Sequence, residues 1–292
     1  MTSNATYQWD DITIVTPFGV RFCDYVTGEV VSEGLSIVAY PRGNPRRTVS
    51  GMINRRGVFT FRGLPGMHDI ENGKGDDQFW DTISPPKEFI IQARDQRGRF
   101  QPFQFDAFLP IKNLYQWEAL PRTSPQATLP YVPLYPSPAR PALTGFGVVR
   151  SELWDGLNNC PAAWAMVEVR MEGELKGRSF ADKNGRIAVL FAYPEPADHS
   201  ATSPPVSPSV IPLTRYSDSK WNVQLTAYYS PTRDVPSVPD LVVVHEQTPA
   251  AIGLNDSSSL TELDLILEFG KECIVKSSSK SELLIIPAGS PL

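Results

Sequence analysis

Two stretches of the chain place a polar turn ending in glycine directly before an apolar strand, and they constrain the fold more than any other feature. The first, Ser50–Pro65, reads SGMINRRGVFTFRGLP, with its turn at Asn54–Gly57. The second, Arg178–Pro194, reads RSFADKNGRIAVLFAYP, with its turn at Asp182–Gly185. Asparagine, aspartate and glycine favour tight turns because they bond their own backbone or tolerate a positive φ angle. We predict two β-hairpins and, from them, two tandem β-sandwich domains.

Proline and glycine argue against a helical fold. The 292 residues include 28 prolines and 20 glycines, and proline interrupts both helices and central strands. A chain of this length corresponds to about two domains. We therefore predict an all-β fold, with two tandem β-sandwich domains and proline-rich connectors.

Alternation of apolar and polar residues marks the two predicted sandwiches, and a run of prolines marks the connector between them. The predicted segments are an N-terminal arm at 1–16, a first sandwich at 17–110, a proline-rich connector at 111–143, a second sandwich at 144–276 and a C-terminal strand and tail at 277–292. In Trp164–Glu172, Val167, Val169 and Met171 alternate with Glu168, Arg170 and Glu172, which predicts a half-buried strand. The stretch 241–252 remains ambiguous between strand and helix.

An insertion rich in glycine and aspartate, residues 63–86, interrupts the first sandwich. Asp76 and Asp77 predict the start of a short helix through Phe79–Ile83, because carboxylates satisfy the free N–H groups of a helix start. Long ordered loops are often functional. The acidic residues also offer oxygen ligands for calcium, but their order does not match the helix–loop–helix calcium loop. We favour a polar loop over a calcium site.

Charge and hydropathy narrow the expected partners and location. The net charge is -5, from 27 lysines and arginines against 32 aspartates and glutamates, without a basic block. We expect no nucleic-acid partner. No apolar run approaches the roughly 18 residues of a membrane helix, so we expect no membrane insertion. The beginning of the sequence lacks the pattern of a signal peptide, and Cys23, Cys160 and Cys273 are scattered, which predicts a cytoplasmic protein.

The residues that usually carry catalysis do not form a recognisable motif. His68, His199 and His245 lie in separate segments, and the sequence contains no CxxC, HExxH or GxSxG motif. We therefore predict no catalytic residue, no metal and no cofactor, and a protein that is not an enzyme. A cysteine–histidine pair assembled in space and a pair of carboxylates for glycoside hydrolysis remain open alternatives.

Resemblances to known proteins add a functional hypothesis. The two turn motifs resemble carboxypeptidase-regulatory-like or prealbumin-like sandwich modules, which occur in many adhesive and scaffolding proteins. This resemblance implies an all-β fold with two tandem immunoglobulin-like or prealbumin-like β-sandwich domains. Longer stretches are similar to proteins encoded in gene clusters of phage-tail-like, extracellular contractile injection systems. These stretches are PFGVRFCDYVTGEVVSEGLSIVAYP, GVFTFRGLPGMHDIENGKGDDQFW, RGRFQPFQFDAFLP, LYPSPARP, VVRSELWD, PAAWAMVEVRMEG and FAYPEP.

The second resemblance implies a structural subunit of the particle, such as a cap adaptor that links the terminal cap to the tail tube and sheath. The cap, tube and sheath proteins would be its partners, in a homo-oligomeric ring with six as one candidate number. A carbohydrate- or protein-binding adhesive module is the alternative, since a sandwich fold does not determine function.

The expected contacts of such a subunit come from the insertion, the connector and the C-terminal strand. The candidate interface residues are Phe79, Trp80, Tyr131, Tyr135, Leu283, Leu284, Ile285 and Ile286. The last four form an apolar strand that pairs either with a neighbouring subunit by strand addition or with the chain's own sheet.

Overall fold

A computed structural model describes residues 15–81, 85–118, 128–194, 219–255, 258–278 and 280–288. In these ranges the chain forms twenty-one strands and three short helices. The predicted all-β sandwich class is confirmed. Among the described residues no helix is long and apolar enough to cross a membrane.

The first half consists of ten strands, most of them short, and two short helices. They are β1 (Gly19–Asp24), β2 (Leu35–Pro41), β3 (Val49–Ser50), β4 (Met52–Ile53), β5 (Val58–Thr60), α1 (His68–Glu71), α2 (Asp77–Asp81), β6 (Lys87–Asp95), β7 (Phe103–Leu109), β8 (Trp117–Glu118), β9 (Thr128–Leu129) and β10 (Val132–Leu134).

The second half contains the longer strands. They are β11 (Phe146–Asp155), β12 (Cys160–Pro161), β13 (Met166–Met171), β14 (Glu174–Phe180), β15 (Arg186–Ala192), β16 (Lys220–Tyr228), α3 (Leu241–Glu246), β17 (Pro249–Asn255), β18 (Ser258–Leu260), β19 (Leu263–Glu268), β20 (Glu272–Val275) and β21 (Leu283–Ile286).

The first half is a sandwich of two four-stranded sheets, ordered β10-β1-β5-β4 and β3-β2-β6-β7. Alternate residues of β2, β6 and β7 point inward, so that Ile37, Ile91 and Phe105 pack against Phe22 of β1 and Phe59 of β5. This apolar alternation is the pattern of a sheet with one buried face.

The second half is one eleven-stranded sheet that folds over on itself around a second core. One layer contains β14, β13, β16 and β19, and the other contains β15, β11, β20 and β21. Strand β17 joins the layers because it pairs with β16 at Ala250 and with β21 at Ile252. Val167, Val223 and Val189 meet between the layers.

The first predicted hairpin is confirmed and the second is wrong. Strands β4 and β5 pair with each other across the Asn54–Gly57 turn. The Asp182–Gly185 turn also reverses the chain, but β14 pairs with β13 and β15 pairs with β11. The second motif is therefore an arch whose two strands lie in opposite layers, because their partners come from elsewhere in the chain.

The helix predicted through Phe79–Ile83 is present as α2 as far as Asp81, and residues 82 and 83 lie outside the described residues. The Asp76 Oδ1 atom accepts a hydrogen bond of 2.8 Å from the Phe79 backbone N–H. The ambiguous stretch 241–252 contains both kinds of structure, since α3 is followed by β17. Asp240 caps α3 by accepting a 2.8 Å hydrogen bond from the Val242 N–H.

The proline-rich connector forms part of the first sandwich. Strand β10 pairs in parallel with β1, with Val132 opposite Phe22. As an edge strand β10 tolerates Pro133, which has no N–H to donate. Of the predicted connector, residues 119–127 lie outside the described residues, as do residues 1–14 of the arm and 289–292 of the tail.

Candidate functional site at the joint between the two halves

The layer that contains β13 and β14 is covered on both faces. Val167 and Val169 point into the second core, whereas Met166 and Phe180 belong to the first core. Alternation of side chains along a strand places these two sets on opposite faces of the sheet. We call the region where this layer meets the first half the joint.

Helix α3 also belongs to the joint. Leu241 and Val244 are buried in the first core although they lie far along the chain. The backbone N–H of Gln104 in β7 donates a 2.9 Å hydrogen bond to the carbonyl of Pro239, just before the helix. The first core is therefore completed by residues of the second half.

Tyr135 of the connector lies at the centre of the joint and is 2% exposed. Its ring packs 4.9 Å from the Tyr25 ring and 5.5 Å from the Phe180 ring, measured between centroids. Its hydroxyl lies 3.0 Å from His245 Nε2. Burial raises the pKa of Tyr135 because it disfavours the charged phenolate. The phenol therefore stays neutral and serves as a hydrogen-bonding group.

Glu168 of β13 carries a carboxylate that is fully buried next to two arginines. Arg178 Nε donates to Glu168 Oε1 at 2.9 Å, and Arg178 Nη2 also contacts this oxygen. Arg170 Nη2 donates to Glu168 Oε2 at 2.9 Å, and the Tyr228 hydroxyl lies 3.3 Å from the same oxygen. Both carboxylate oxygens are therefore satisfied, as a buried charge requires.

Arg178 is among the largest buried side chains of the described chain, at 2% exposed. Burial alone would lower its pKa, but the net shift is upward, and the Glu168 carboxylate that accepts from the guanidinium acts in that direction. The guanidinium is charged at every physiological pH. Removing one member of such a buried pair costs about 3–5 kcal/mol of stability, because the other charge is left without a partner.

A second buried ion pair ties the connector to β1. Arg140 Nη1 and Nη2 donate to Asp24 Oδ1 and Oδ2 at 3.0 Å and 2.5 Å. The Arg140 guanidinium also lies over the Phe100 ring, 5.0 Å from its centroid, and the Arg99 guanidinium lies 5.1 Å from the same centroid. Paired guanidinium–carboxylate contacts fix orientation as well as distance.

Buried amides complete the hydrogen bonding of the joint. The Gln247 side chain accepts from the Met166 N–H at 3.2 Å and donates to the Trp164 carbonyl at 3.1 Å. The Gln101 side chain donates to the Phe180 carbonyl at 3.2 Å. Each amide links segments distant in sequence, so the joint is specified by polar contacts as well as by apolar packing.

The ion pairs of the joint were not predicted from the sequence. The alternation in β13 predicted a strand with one buried face, which leaves Glu168 and Arg170 on the polar side. That side is covered by the first half, and Arg178 is brought opposite Glu168 by the β13–β14 pairing. A weak signal was present, since a glutamate in a predicted strand and an arginine at the start of the second turn motif lie ten residues apart, but many surface pairs share it.

Three of the candidate interface residues are at least partly exposed. Phe79 and Trp80 of α2 lie in an edge-to-face arrangement with centroids 5.7 Å apart. The helix is tied to the sandwich by Lys112, whose Nζ lies 2.6 Å from Asp77 Oδ1. Tyr131, directly before β10, is also partly exposed. An interface role for these three remains a prediction.

The remaining candidates lie mostly inside the chain. Tyr135, Leu283, Leu284 and Ile285 are buried, and Ile286 is partly buried. Strand β21 pairs with β11 on one side and with β17 on the other. Of the two predicted alternatives, the structure shows pairing with the chain's own sheet, and β21 offers no free edge for strand addition. An apolar pattern shows that a strand is buried, but it does not identify what buries it.

The described histidines and cysteines do not converge. His68 lies in exposed α1, His245 lies in the joint, and His199 is outside the described residues. Cys23, Cys160 and Cys273 are free thiols, and burial raises the pKa of each. Within the ranges given above, no group of three or more histidine, cysteine, aspartate or glutamate side chains could hold a metal ion.

Comparison with known proteins gives only distant structural neighbours. No family model and no curated protein matches the chain. The shaft pilin SpaA of Lactobacillus rhamnosus GG matches with a TM-score of 0.24 and 10% identity, over 95% of this chain and 100% of the pilin. A streptococcal ancillary pilin matches with a TM-score of 0.23 and 11% identity, over 95% of this chain and 64% of that one.

The Bacillus anthracis TIE protein matches with a TM-score of 0.23 and 7% identity, over 87% of this chain and 44% of that one. At scores this low, the fold class rests on the chain's own strands and not on these proteins.

Proposed function

We propose that the chain is a non-enzymatic structural subunit of a phage-tail-like contractile injection particle, where it acts as an adaptor between the terminal cap and the tail tube and sheath. The proposal starts from the resemblance of the sequence to proteins of such gene clusters. The joint supports it physically, because an adaptor must hold its contact surfaces in a fixed relation while the sheath contracts.

The observation that carries the proposal is the double coverage of the β13–β14 layer. Two sandwiches that met only through a flexible linker would move independently. Here Met166 and Phe180 are buried in the first core, and Glu168 pairs with Arg178 within the joint. Moving the halves apart would expose this apolar surface and place the ion pair in a new environment.

The titratable groups of the joint are engaged with one another. Glu168 is held by two guanidiniums, Asp24 is held by Arg140, and burial raises the pKa of Tyr135. A general acid or base needs a pKa near the working pH and access to substrate. These groups instead fit a structural role.

Electron microscopy of the native assembly tests the proposed role. We expect density for the chain as a ring at one end of a sheathed tube, and we expect particles from a strain that lacks the chain to have abnormal ends or length. Absence of the chain from every particle, together with a soluble monomer in the same extract, would overturn the proposal.

The predicted contacts of α2 are tested separately. The Trp80→Ala variant is expected to leave the melting temperature nearly unchanged and to reduce incorporation into particles, because Trp80 is partly exposed. The Val243→Ala variant is the matched control, since Val243 is 58% exposed on α3. Equal incorporation of the two variants would exclude α2 as a contact. The adaptor role itself would still be tested by the electron microscopy.

A second candidate is a carbohydrate-binding module, which the outer face of the β2-β6-β7 sheet favours. Phe108 is 59% exposed on this face. The Tyr40 hydroxyl donates a 3.4 Å hydrogen bond to Gln104 Oε1, and Asp106 lies on the same face. Exposed aromatic rings beside amide and carboxylate groups can stack on sugar rings and bond their hydroxyls.

A glycan array tests this candidate. Binding that is lost in Phe108→Ala and kept in Leu157→Ala would support it, since Leu157 is a comparably exposed apolar side chain at 45%. No bound glycan, or equal binding by both variants, would reject it.

A further inference from the structure

A cleft opens at the surface of the joint and has no role in the function proposed above. Its volume is about 480 Å³, which is within the usual range of small-ligand and peptide sites. The first half contributes six residues between 94 and 102, the connector contributes residues 137–139, and the arch at the start of β15 contributes Asp182 and Arg186. The cleft therefore exists only when the two halves are joined.

The cleft has an apolar floor and charged margins. Phe100, Pro102 and Pro138 supply the apolar lining. Arg94 comes from the end of β6 and Arg186 from the start of β15, so the two guanidiniums reach the cleft from different halves. Both residues are exposed.

The acids of the cleft are already engaged within the chain. Asp95 Oδ1 accepts a 2.9 Å bond from Arg99 Nη2, and Asp95 Oδ2 also accepts from the Arg99 backbone N–H at 2.5 Å. Asp182 Oδ1 accepts from the backbone N–H groups of Asn184 and Arg186 at 2.8 Å and 2.9 Å. Much of their accepting capacity is thus used internally.

The two arginines retain their donors. Arg94 Nε donates to Gln92 Oε1 at 3.2 Å, and Arg94 has no carboxylate partner among the described residues. The Arg186 guanidinium has neither a carboxylate nor a hydrogen-bond partner in that part of the chain. Guanidinium groups bind carboxylates through two parallel N–H donors. The unused hydrogen-bonding capacity of the cleft is therefore that of a carboxylate receptor.

We propose that this cleft binds an acidic peptide segment of a partner protein, with Arg94 and Arg186 each binding a carboxylate and the Phe100–Pro102–Pro138 floor covering the backbone between them. A peptide fits better than a nucleic acid because the cleft presents two separate guanidiniums for individual carboxylates and not the extended basic groove that follows a phosphate backbone. The inference does not depend on the adaptor role.

Fluorescence anisotropy with the full chain tests the proposal, using fluorescein-labelled hexaglutamate as the probe and hexaserine as the neutral control. We expect saturable binding of hexaglutamate only, weakening as salt is raised. The Arg94→Gln/Arg186→Gln double variant is expected to bind about tenfold more weakly or worse, because two charge-assisted contacts are lost. The Arg46→Gln/Arg47→Gln variant is the matched control, since both arginines are exposed in another loop.

Three outcomes would overturn the proposal. These are no binding of hexaglutamate, equal loss of binding in the control variant, and stronger competition by inorganic phosphate or an oligonucleotide than by unlabelled hexaglutamate. A melting curve of each variant confirms that it is folded. Because the measurement uses the isolated chain, a negative result leaves the particle role untouched, and absence from particles leaves the cleft untouched.

Discussion

The turns at Asn54–Gly57 and Asp182–Gly185 have nearly the same local structure. In each, the glycine N–H donates to the carbonyl of the first residue, at 3.1 Å and 3.0 Å respectively. Each first residue also accepts two backbone N–H groups on its side-chain oxygen. Both glycines have a positive φ angle, +73° and +80°. The same hydrogen bonds and the same glycine conformation therefore reverse the chain in the same way at both turns.

The strands on either side of the two turns behave differently. Strands β4 and β5 pair edge to edge, whereas β14 and β15 pack face to face in separate layers. A Cβ atom on Gly177 of β14 would lie 3.0 Å from Val189 and 3.1 Å from Phe191 of β15. The comparison teaches that a turn fixes where the chain reverses, while distant strands decide which edges pair.

The largest expected difference between the turns comes from Gly185→Ala. A Cβ atom there would lie 2.2 Å from the Leu153 carbonyl oxygen, which is backbone and cannot swing away. Strain at positive φ and overpacking together predict a loss of about 2–5 kcal/mol. Urea unfolding followed by tryptophan fluorescence measures the change. A loss below about 1 kcal/mol would mean that the arch is not packed this tightly.

A smaller loss is expected for Gly57→Ala in the true hairpin. Its Cβ atom would meet the Val30 side chain at 2.7 Å, and Val30 is exposed at 45% and can move. The expected loss is about 1–2 kcal/mol, mainly from the positive φ angle. Gly63→Ala is the control for strain alone, because Gly63 has φ +76° and open space around it. A Gly57→Ala loss equal to that of Gly185→Ala would contradict the comparison.

Removal of the turn side chains should affect the two motifs equally. In both Asn54→Ala and Asp182→Ala, two backbone N–H groups lose the side-chain oxygen that accepted from them. They donate to water instead, since both turns are at the surface. We expect about 1 kcal/mol of lost stability in each. Urea unfolding of the two variants measures both losses. If the losses differ by more than about 1 kcal/mol, the turns are not locally equivalent.

The smallest effect is expected from an exchange of the turns. Writing Asp-Lys-Asn-Gly at 54–57, or Asn-Arg-Arg-Gly at 182–185, keeps the first side-chain acceptor and the final glycine. The middle residues of both turns are exposed. We expect each exchange to change stability by no more than about 0.5 kcal/mol. A large loss in only one direction would mean that the turn sequence also selects the pairing of its strands.

The fold class, the turn positions and the short helix after Asp76 were predictable because each depends on neighbouring residues. The pairing of β14 with β13, and of β21 with β11 and β17, was not, because an apolar alternation specifies a face but not a partner. For the same reason the joint could not be predicted from the sequence. Glu168 and Arg170 alternate with valines as surface residues do, and only the first half placed against that face makes the pair with Arg178 buried.

The cleft was equally inaccessible to sequence reasoning. Arg94 and Arg186 are 92 positions apart and each resembles an ordinary surface arginine. What distinguishes them is that nearby Asp95 and Asp182 are engaged with Arg99 and with the turn backbone. That property depends on three-dimensional neighbours, as does the burial of Tyr135, which the sequence analysis placed at an intersubunit surface.

The shared first core has a consequence for how the chain is made. Phe103 and Phe105 of β7 leave the ribosome long before Val244, which packs in the same core. At synthesis rates of about 10 residues per second, the delay is roughly ten seconds or more. During that interval the nascent first half lacks the cover that Phe180 and α3 later provide. Chaperones that protect apolar surface during translation should therefore matter more for this chain than for two independent sandwiches of the same size.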